Sequence, residues 1–218
     1  MPSQVSEASR GRFITLEGPE GSGKTTAARH LAEWLRGRGV GVVLTHEPGG
    51  TPLGEEVRRI VLHMRGMSDD LDPRADALLY AAGRAQHVAR VIRPALERGE
   101  WVVCARYIDS SLAYQGAGYG NDPVDMAALQ DFATGGLRPD LTLLLDVPVE
   151  VGLERTRRRR EWNRFEDTEE AAFFERVRRA YLDLAAAEPK RFETIDGSGS
   201  VEEADAAIAG AVERRLGV

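Results

Sequence analysis

The stretch Gly18-Pro19-Glu20-Gly21-Ser22-Gly23-Lys24-Thr25-Thr26 decides the fold of this chain of 218 residues. It matches the phosphate-binding loop pattern G-x-x-x-x-G-K-[ST]. The apolar run 13–16 before it predicts a short buried strand, and the apolar face of residues 25–36 after it predicts a helix. A strand that turns into a helix through glycines directs several backbone N–H groups at one point, which binds a polyphosphate. The stretch therefore predicts a nucleotide site.

Individual loop residues have defined roles in such a site. Lys24 neutralises the β- and γ-phosphates, and the Thr25 hydroxyl coordinates Mg²⁺. We expect the remaining phosphate contacts from Gly18, Glu20, Gly21, Ser22, Gly23 and Thr26. The loop alone does not separate an ATPase, a GTPase, a kinase and a motor protein. The chain has no Asn-Lys-x-Asp motif, however, which argues against a GTPase.

The composition indicates one cytoplasmic domain. The length suits a single α/β domain, and the net charge of −6 argues against a protein that coats nucleic acid. The one cysteine, Cys104, lies in an apolar run, which predicts a buried thiol rather than a nucleophile. No apolar stretch approaches membrane-spanning length, and no signal-peptide pattern is present. We expect residues 1–10 to be a flexible leader and residues 11–218 to form the domain.

Short apolar runs alternate with helical patterns along the chain. Strands are predicted at residues 13–16, 40–44, 101–104, 141–145 and 192–195. Helices are predicted at residues 25–36, 53–64, 74–98, 123–132, 149–160, 168–187 and 201–216, with a kink at Pro94. Residues 106–120 are polar and glycine-rich, which predicts a loop, with a short helix opening at Asp109 as an alternative. The alternation predicts an α/β fold in which helices cover both faces of a five-stranded parallel sheet.

Ligands bind such sheets at the carboxyl ends of the strands, which brings residues 18–25, 46–51, 105–115 and 146–149 to one edge. Arginines in or facing these segments are Arg58, Arg84, Arg106 and Arg155–Arg160. A kinase that joins two anionic nucleotides needs such charges, because the transferring phosphoryl group and the acceptor phosphate repel each other. Arg106 is the strongest candidate, since it emerges from a strand end directly into the predicted site.

Aromatic and amide side chains near the same edge are suited to recognising a base. Tyr107, Tyr114 and Gln115 follow the third strand and can stack on a base or bond to its edge. Tyr80 lies on a predicted helix, where packing in the core explains its spacing equally well.

Longer motifs link the chain to a known family. They are Phe-Ile-Thr-Leu-Glu-Gly-Pro-Glu-Gly-Ser-Gly-Lys-Thr-Thr at 13–26, Glu-Pro-Gly-Gly-Thr-Pro-Leu-Gly-Glu at 47–55, Arg-Ala-Gln-His-Val at 84–88, Arg-Tyr-Ile-Asp-Ser-Ser-Leu-Ala-Tyr-Gln-Gly at 106–116, Arg-Pro-Asp-Leu-Thr-Leu-Leu-Leu-Asp at 138–146 and Arg-Phe-Glu at 164–166. With these motifs the chain resembles the bacterial thymidylate kinases, which phosphorylate dTMP to dTDP with ATP. The resemblance covers nearly the whole chain. It implies a P-loop NTPase fold of three layers, an arginine-rich lid at about residues 155–167, and a homodimer.

The resemblance implies a role for each matching residue. Arg106 matches the arginine that grips the acceptor phosphate, with Arg58 as a second clamp. Glu20 matches an acidic residue near the sugar 3′-hydroxyl, and Tyr114 a tyrosine that crowds the 2′ position and favours deoxyribose. The expected base pocket and its surroundings comprise Tyr80, which stacks on thymine, Arg84, which reaches its O4 edge, and Glu47, Ser111 and Gln115.

Some members of this family carry the catalytic arginine in the phosphate loop and others in the lid. Because Gly21 occupies the loop position here, the resemblance assigns the catalytic charge to lid arginines, with Arg158 and Arg160 as the candidates. A lid that closes over the phosphates also excludes water, so that ATP is not hydrolysed wastefully.

Three positions depart from the family pattern. Ala105 stands where the family has Asp before Arg106, Gly83 where it has Asp or Asn, and Asn163 where the lid has Asp. The carboxylate missing at Ala105 would lie beside Mg²⁺ and the acceptor phosphate, where it would orient Arg106. Its absence is explained by engineering, by specialisation for a modified deoxynucleotide, or by compensation from another acid, namely Asp109, Asp146 or Glu47.

Three functions remain open at this point. The first is transfer of the ATP γ-phosphoryl group to dTMP, which needs positioning and charge neutralisation rather than a side-chain nucleophile. The second is a kinase for another or modified pyrimidine deoxynucleoside monophosphate. The third is a nucleotide-binding protein whose turnover is impaired at Ala105. None of the three calls for a nucleic acid or a membrane as a partner.

Overall fold

A computed structural model describes residues 10–63, 71–159 and 171–218. Its five strands are β1 (Phe13–Glu17), β2 (Val42–His46), β3 (Trp101–Ala105), β4 (Leu141–Asp146) and β5 (Phe192–Asp196). They form one sheet in the order β2-β3-β1-β4-β5, and every neighbouring pair is parallel. The predicted α/β fold with a five-stranded parallel sheet is therefore confirmed, with strand ends that differ by one or two residues.

Helices connect these strands. Their bounds are α1 (Lys24–Gly37), α2 (Pro52–His63), α3 (Pro73–His87), α4 (Arg93–Glu97), α5 (Ile108–Ser111), α6 (Pro123–Thr134), α7 (Val149–Arg159), α8 (Ala171–Ala187) and α9 (Val201–Leu216). Local signals mark several ends. Asp122 caps α6 by accepting from the backbone N–H groups of Val124 and Asp125, and a capping box of Ser200 and Glu203 opens α9.

The sheet separates two apolar layers because alternate residues of each strand point to opposite faces. On one face, Leu16 and Leu143 pack with Leu31 of α1 and Val212 of α9. On the other face lie two clusters, one around β3 with α4 and one around β4 with α8. Both faces are covered, so the central strands β1 and β4 are largely apolar on both faces. The prediction that Cys104 is a buried thiol is confirmed, and burial raises its pKa.

The helical stretch predicted at residues 74–98 is interrupted before the predicted kink. A π-helical segment, Val88–Ile92, separates α3 from α4, and Pro94 lies in the first turn of α4. Proline has no N–H to donate to the carbonyl of Arg90, and its ring crowds that turn. The irregularity therefore lies on the N-terminal side of Pro94.

The prediction of a loop at residues 106–120 is wrong for most of that segment. α5 begins at Ile108 and continues into a π-helical segment, Leu112–Gly118, that packs against α8. The glycines there serve close packing instead of a flexible turn: a Cβ at Gly118 would lie 2.8 Å from the Phe173 ring. The alternative, a short helix near Asp109, was nearer to the observed structure.

Some predictions concern residues outside the described ranges. They are most of the leader 1–10, the helix end at residue 64, the lid beyond Arg159 with Arg160 and Asn163, and the predicted helix start at residue 168. Within the described ranges, no helix is long and apolar enough to cross a membrane.

Candidate active site

The parallel register brings the carboxyl ends of β1 to β4 to one edge, where the predicted ligand-binding segments begin. Gly18 and Gly21 shape the phosphate loop between β1 and α1, with φ angles of 144° and 70°. A Cβ at Gly18 would lie 2.3 Å from the carbonyl oxygen of Leu145, and one at Gly21 would lie 2.1 Å from that of Gly152. No side chain fits at either position, so this loop conformation has no room for an arginine at residue 21.

Lys24 and Thr25 are the first two residues of α1, and the first is buried whereas the second is exposed. The Lys24 ammonium is buried and donates to the carbonyl oxygen of Pro19 at 2.7 Å and to Ser22 Oγ at 3.0 Å. Thr25 is exposed and Thr26 is half-buried. The loop therefore holds one cation against its own backbone and presents one hydroxyl to solvent at the helix start.

Arg106 follows β3 directly and has a left-handed backbone, with a φ of 69°. It is the one non-glycine residue with positive φ in the described part of the chain. Its guanidinium donates from Nη2 to Glu20 Oε2 at 2.7 Å and from Nη1 to Ser110 Oγ at 3.3 Å, and lies 5.0 Å from the centre of the Tyr114 ring. Arg106 thus lies between the phosphate loop and the aromatic wall formed by Tyr114.

The Glu20 carboxylate is ionised in this position. Burial by itself would raise its pKa, but the positive charges of Arg106 and then Lys24 outweigh burial and hold the pKa below its usual value. Burial raises the pKa of the Tyr114 hydroxyl, which stays neutral beside Arg106.

A second arginine, Arg84, is buried in a polar network behind this edge. Its Nε donates to Glu47 Oε2 at 2.7 Å, its Nη1 to Ser111 Oγ at 3.0 Å and to the Gln130 side-chain oxygen, and its Nη2 to the carbonyl oxygen of Tyr107 at 2.9 Å. Four of the five N–H groups of the guanidinium therefore have protein acceptors.

His87 fixes the other side of the Glu47 carboxylate. Its Nδ1 lies 2.9 Å from Glu47 Oε1, and its Nε2 lies 2.7 Å from Thr45 Oγ1. Burial would raise the pKa of Glu47, but Arg84 and His87 together hold it below the usual value. The Nδ1–H of His87 therefore donates to Glu47, because an ionised carboxylate only accepts.

The other predicted acceptor residues surround this network. Arg58, on α2, is half-buried and donates to the carbonyl oxygen of Pro48 at 3.2 Å. Tyr80 is half-buried on α3. The Gln115 amide is buried and donates to Asp76 Oδ2 at 2.9 Å, so that it contacts α3.

Known proteins match this chain both in sequence and in structure. A family model described as thymidylate kinase matches residues 16–208. The chain belongs to the thymidylate kinase family. A thymidylate kinase of Pseudomonas fluorescens is 53% identical over 188 residues, which are 86% of this chain and 88% of the relative. One from Pseudomonas putida is 51% identical over 211 residues, 95% of this chain and 99% of the relative.

A solved relative supports the same assignment. The crystal structure of thymidylate kinase from Ehrlichia chaffeensis has a TM-score of 0.76 and 34% identity, covering 94% of this chain and 99% of its own. The resemblance inferred from the sequence motifs is therefore confirmed. The alternatives, a kinase of another or modified pyrimidine deoxynucleoside monophosphate and a nucleotide binder with impaired turnover, are not favoured.

Ala105 departs from the family pattern at an open position. It lines a cleft of about 360 Å³ together with Thr25, Thr45 and His46, where α1 meets the ends of β2 and β3. The three acids expected to replace the missing carboxylate are each paired with an arginine, in the pairs Asp109–Arg191 (2.7 Å), Asp146–Arg178 (2.7 Å) and Glu47–Arg84 (2.7 Å). None of the three lines this cleft.

The other departures have different surroundings. Gly83 lies on α3 in a buried position, where a Cβ would make ordinary contact with Val57 at 3.7 Å. Asn163 lies outside the described residues. Of the two candidate lid arginines, Arg160 also lies outside them, and Arg158 is exposed near the end of α7, where it forms an ion pair with Glu154.

Sequence reasoning assigned no role to Glu17, His87, Gln130 or Tyr181, all of which are buried against predicted site residues. Glu17 carried a visible signal, because it is a charged residue at the end of an otherwise apolar strand. The other three lie on helices whose spacing gave no indication of a polar contact.

Proposed function

We propose that this chain transfers the γ-phosphoryl group of ATP to the 5′-phosphate of dTMP. The contact of Arg106 with Glu20 of the phosphate loop supports the proposal, because the arginine that we propose to bind the acceptor phosphate lies directly beside the donor loop. Phosphoryl transfer needs the two phosphates brought together and their charges neutralised, without a nucleophilic side chain. A donor loop that touches an acceptor-side arginine meets that requirement.

ATP fits the donor site through the glycine cradle and Lys24. The thymidylate kinase family uses ATP as the phosphoryl donor, and Gly18 and Gly21 allow the loop backbone a close approach to Leu145 and Gly152 that no side chain would permit. Mg²⁺ suits the exposed Thr25 hydroxyl, because this ion keeps several waters and binds largely through substrate phosphates. When bound, it neutralises charge on the β- and γ-phosphates.

dTMP fits the acceptor side through two groups of residues. Arg106 and Arg58 bind its phosphate. Glu20 lies near the 3′-hydroxyl of its sugar, and Tyr114 crowds the 2′ position, which favours deoxyribose. Toward the base, Tyr80 stacks on thymine. Glu47 and Ser111 accept hydrogen bonds from Arg84, and Gln115 belongs to the same proposed base pocket. One N–H of Arg84 Nη2 has no acceptor among the described residues, which leaves a donor for thymine O4.

Lid arginines complete the charge neutralisation. Arg158 is exposed and forms a surface ion pair with Glu154, which costs little to exchange for a phosphate. Together with Arg160 it belongs to the proposed lid at residues 155–167. Closure of this segment of the single domain 11–218 would exclude water from the phosphates.

A second copy of the chain is the proposed partner. Large apolar side chains are exposed on α2, α3 and α6, which pack against one another. Phe132 is 88% exposed, and Ile60, Leu78 and Val124 lie on the same three helices. Exposed apolar side chains of this size favour burial against an identical surface. A cytoplasmic location stays a prediction.

A coupled assay with dTMP, dUMP, dCMP and 5-substituted analogues tests the proposed activity. We expect the highest kcat/KM with dTMP, since a pocket shaped for the thymine methyl group discriminates about 10- to 200-fold. Equal values for dTMP and the other monophosphates would contradict the proposal. Lys24→Ala protein purified in parallel controls for a contaminating kinase.

A further inference from the structure

Glu17 is a buried carboxylate that no step of the proposed reaction uses. It ends β1, is inaccessible to solvent, and accepts three hydrogen bonds. The donors are the backbone N–H of Tyr107 at 2.7 Å, the Ser110 hydroxyl at 2.6 Å and the Tyr181 hydroxyl at 3.0 Å. Burying an acid is unfavourable unless its contacts compensate, so the arrangement requires an explanation.

The backbone contacts of β1 surround the strained conformation of Arg106. The N–H of Arg106 donates to the carbonyl oxygen of Leu16 at 2.9 Å, and the next N–H, of Tyr107, donates to Glu17 Oε1 at 2.7 Å. Two consecutive residues of β1 therefore hold the two N–H groups on either side of the left-handed residue. Such a conformation persists only where its surroundings over-determine it.

Glu17 also acts on the Arg106 side chain through Ser110. Because Glu17 Oε2 accepts the Ser110 hydroxyl proton, the lone pairs of Ser110 Oγ remain available to Arg106 Nη1, 3.3 Å away. The guanidinium is then held at both ends, by Ser110 at Nη1 and by Glu20 at Nη2.

We propose that Glu17 is a positioning residue for the acceptor phosphate, which holds Arg106 in its left-handed conformation and directs its guanidinium through Ser110. Glu17 does not touch the substrate in this arrangement. The inference rests on the proposed function, because it takes Arg106 to be the group that binds the acceptor phosphate.

Glu17→Gln tests this role with little change of volume. The amide offers one acceptor and one donor group, so that either Tyr107 N–H or the Ser110 hydroxyl loses its acceptor. We expect the KM for dTMP to rise about tenfold, as for loss of one well-placed hydrogen bond to a charged group, while the KM for ATP changes less than about twofold. Steady-state kinetics with each nucleotide varied separately measure the two values.

Two further variants separate positioning from general stability. Ser110→Ala removes only the side-chain link, so we expect the KM for dTMP to rise about threefold. Tyr181→Phe removes the third donor to Glu17. Among the described residues the Tyr181 hydroxyl contacts Ser110 and Glu17 but accepts no hydrogen bond from Arg106, so we expect a KM for dTMP within about twofold of wild type. If Glu17→Gln does not fold, the KM values for dTMP of Ser110→Ala and Tyr181→Phe are compared instead. A larger rise for Ser110→Ala supports the positioning role.

Failure of this inference differs from failure of the proposed function. Folded Glu17→Gln and Ser110→Ala proteins with an unchanged KM for dTMP and only a lower Tm would overturn the positioning role. An equal rise in the KM for dTMP for Tyr181→Phe would also overturn the positioning role, since such a rise would indicate a general loss of packing. If wild-type protein prefers another monophosphate, the proposed function fails, and the same three variants are compared with that nucleotide because the 5′-phosphate is common to all.

Discussion

The Glu20 carboxylate accepts a hydrogen bond of 2.7 Å from Arg106 Nη2, so that the phosphate loop and the residue after β3 meet directly. The contact joins residues 86 positions apart in the sequence. It holds the guanidinium in place before any substrate binds, which reduces the side-chain entropy that binding must remove. The two residues expected at the phosphate and at the sugar of the acceptor are thus already in contact.

Arg106→Ala should weaken dTMP binding about 100-fold, because the phosphate loses two charge-assisted hydrogen bonds of about 1.5–3 kcal/mol each, offset in part by water. Isothermal titration with dTMP measures the effect. We expect ATP affinity to change much less. Arg179→Ala is the matched control, since Arg179 is an exposed arginine whose ion-pair partner among the described residues is Asp183. Unchanged dTMP affinity would show that Arg106 is not the clamp on the acceptor phosphate.

Lys24→Ala should lower kcat at least about 100-fold while dTMP affinity stays within about threefold. The ammonium lies inside the phosphate loop, where it donates to the carbonyl oxygen of Pro19 and to Ser22 Oγ, and its charge helps to lower the pKa of Glu20. Single-turnover assays and dTMP titrations measure the two quantities. Lys190→Ala, at an exposed lysine, is the control. A large loss of dTMP binding would mean that the donor and acceptor sites are wrongly separated.

Ala105→Asp should raise kcat about 10- to 100-fold with little change in the KM for dTMP. Ala105 lines a cleft of about 360 Å³ beside Thr25, which leaves room for a carboxylate near the proposed Mg²⁺ ligand. A carboxylate there would order the water shell of the ion and orient Arg106. Ala105→Asn has the same size without the charge, and we expect no such gain. An equal effect of the two substitutions, or no effect of either, would contradict this explanation.

Glu47→Gln should change how stability depends on pH. The folded-state pKa of Glu47 lies below its usual value of 4.5, so its contribution to stability is present above that pH and is lost as the pH falls toward the folded-state pKa. At pH 7 the free energy of unfolding of Glu47→Gln should be about 3–5 kcal/mol lower than that of wild type, because the Arg84 guanidinium stays buried without its carboxylate partner. On acidification the free energy of unfolding should fall less for the variant than for wild type.

Urea unfolding followed by circular dichroism between pH 7 and acidic pH measures this difference. Glu56→Gln serves as the control, because Glu56 is exposed and, within the described ranges, pairs with Arg59 on the same helix. Parallel stability curves for wild type and Glu47→Gln would show that the carboxylate of Glu47 is not the group whose protonation destabilises the fold.

The fold was predictable because its signals are local. The glycine pattern at Gly18–Thr26 and the apolar runs of the strands depend on neighbouring residues, and hydrophobic period separates strand from helix. The segment after Arg106 was predicted poorly, because its glycines resemble a loop in sequence. Only its packing against Phe173 shows that they allow a helical segment to approach α8 closely.

The sequence motifs selected candidate site residues, but they did not predict the contacts among them. The motifs identified Arg84, Glu47 and Arg106, yet their partners lie far away in the sequence and meet only through the sheet order. The burial of Arg84 against Gln130 and the clamp of Glu17 on Tyr107 depend on which helices pack together. The left-handed backbone of Arg106 could not be predicted either, since arginine has no preference for positive φ.

Internal competition between dTMP and dUMP tests the central claim most directly. Purified wild-type protein receives both monophosphates at equal concentration with limiting ATP, and mass spectrometry quantifies dTDP and dUDP in the same sample. The product ratio equals the ratio of the two kcat/KM values, and we predict that dTDP exceeds dUDP at least about tenfold. Equal amounts of the two products, or an excess of dUDP, would contradict the assignment of dTMP as the acceptor.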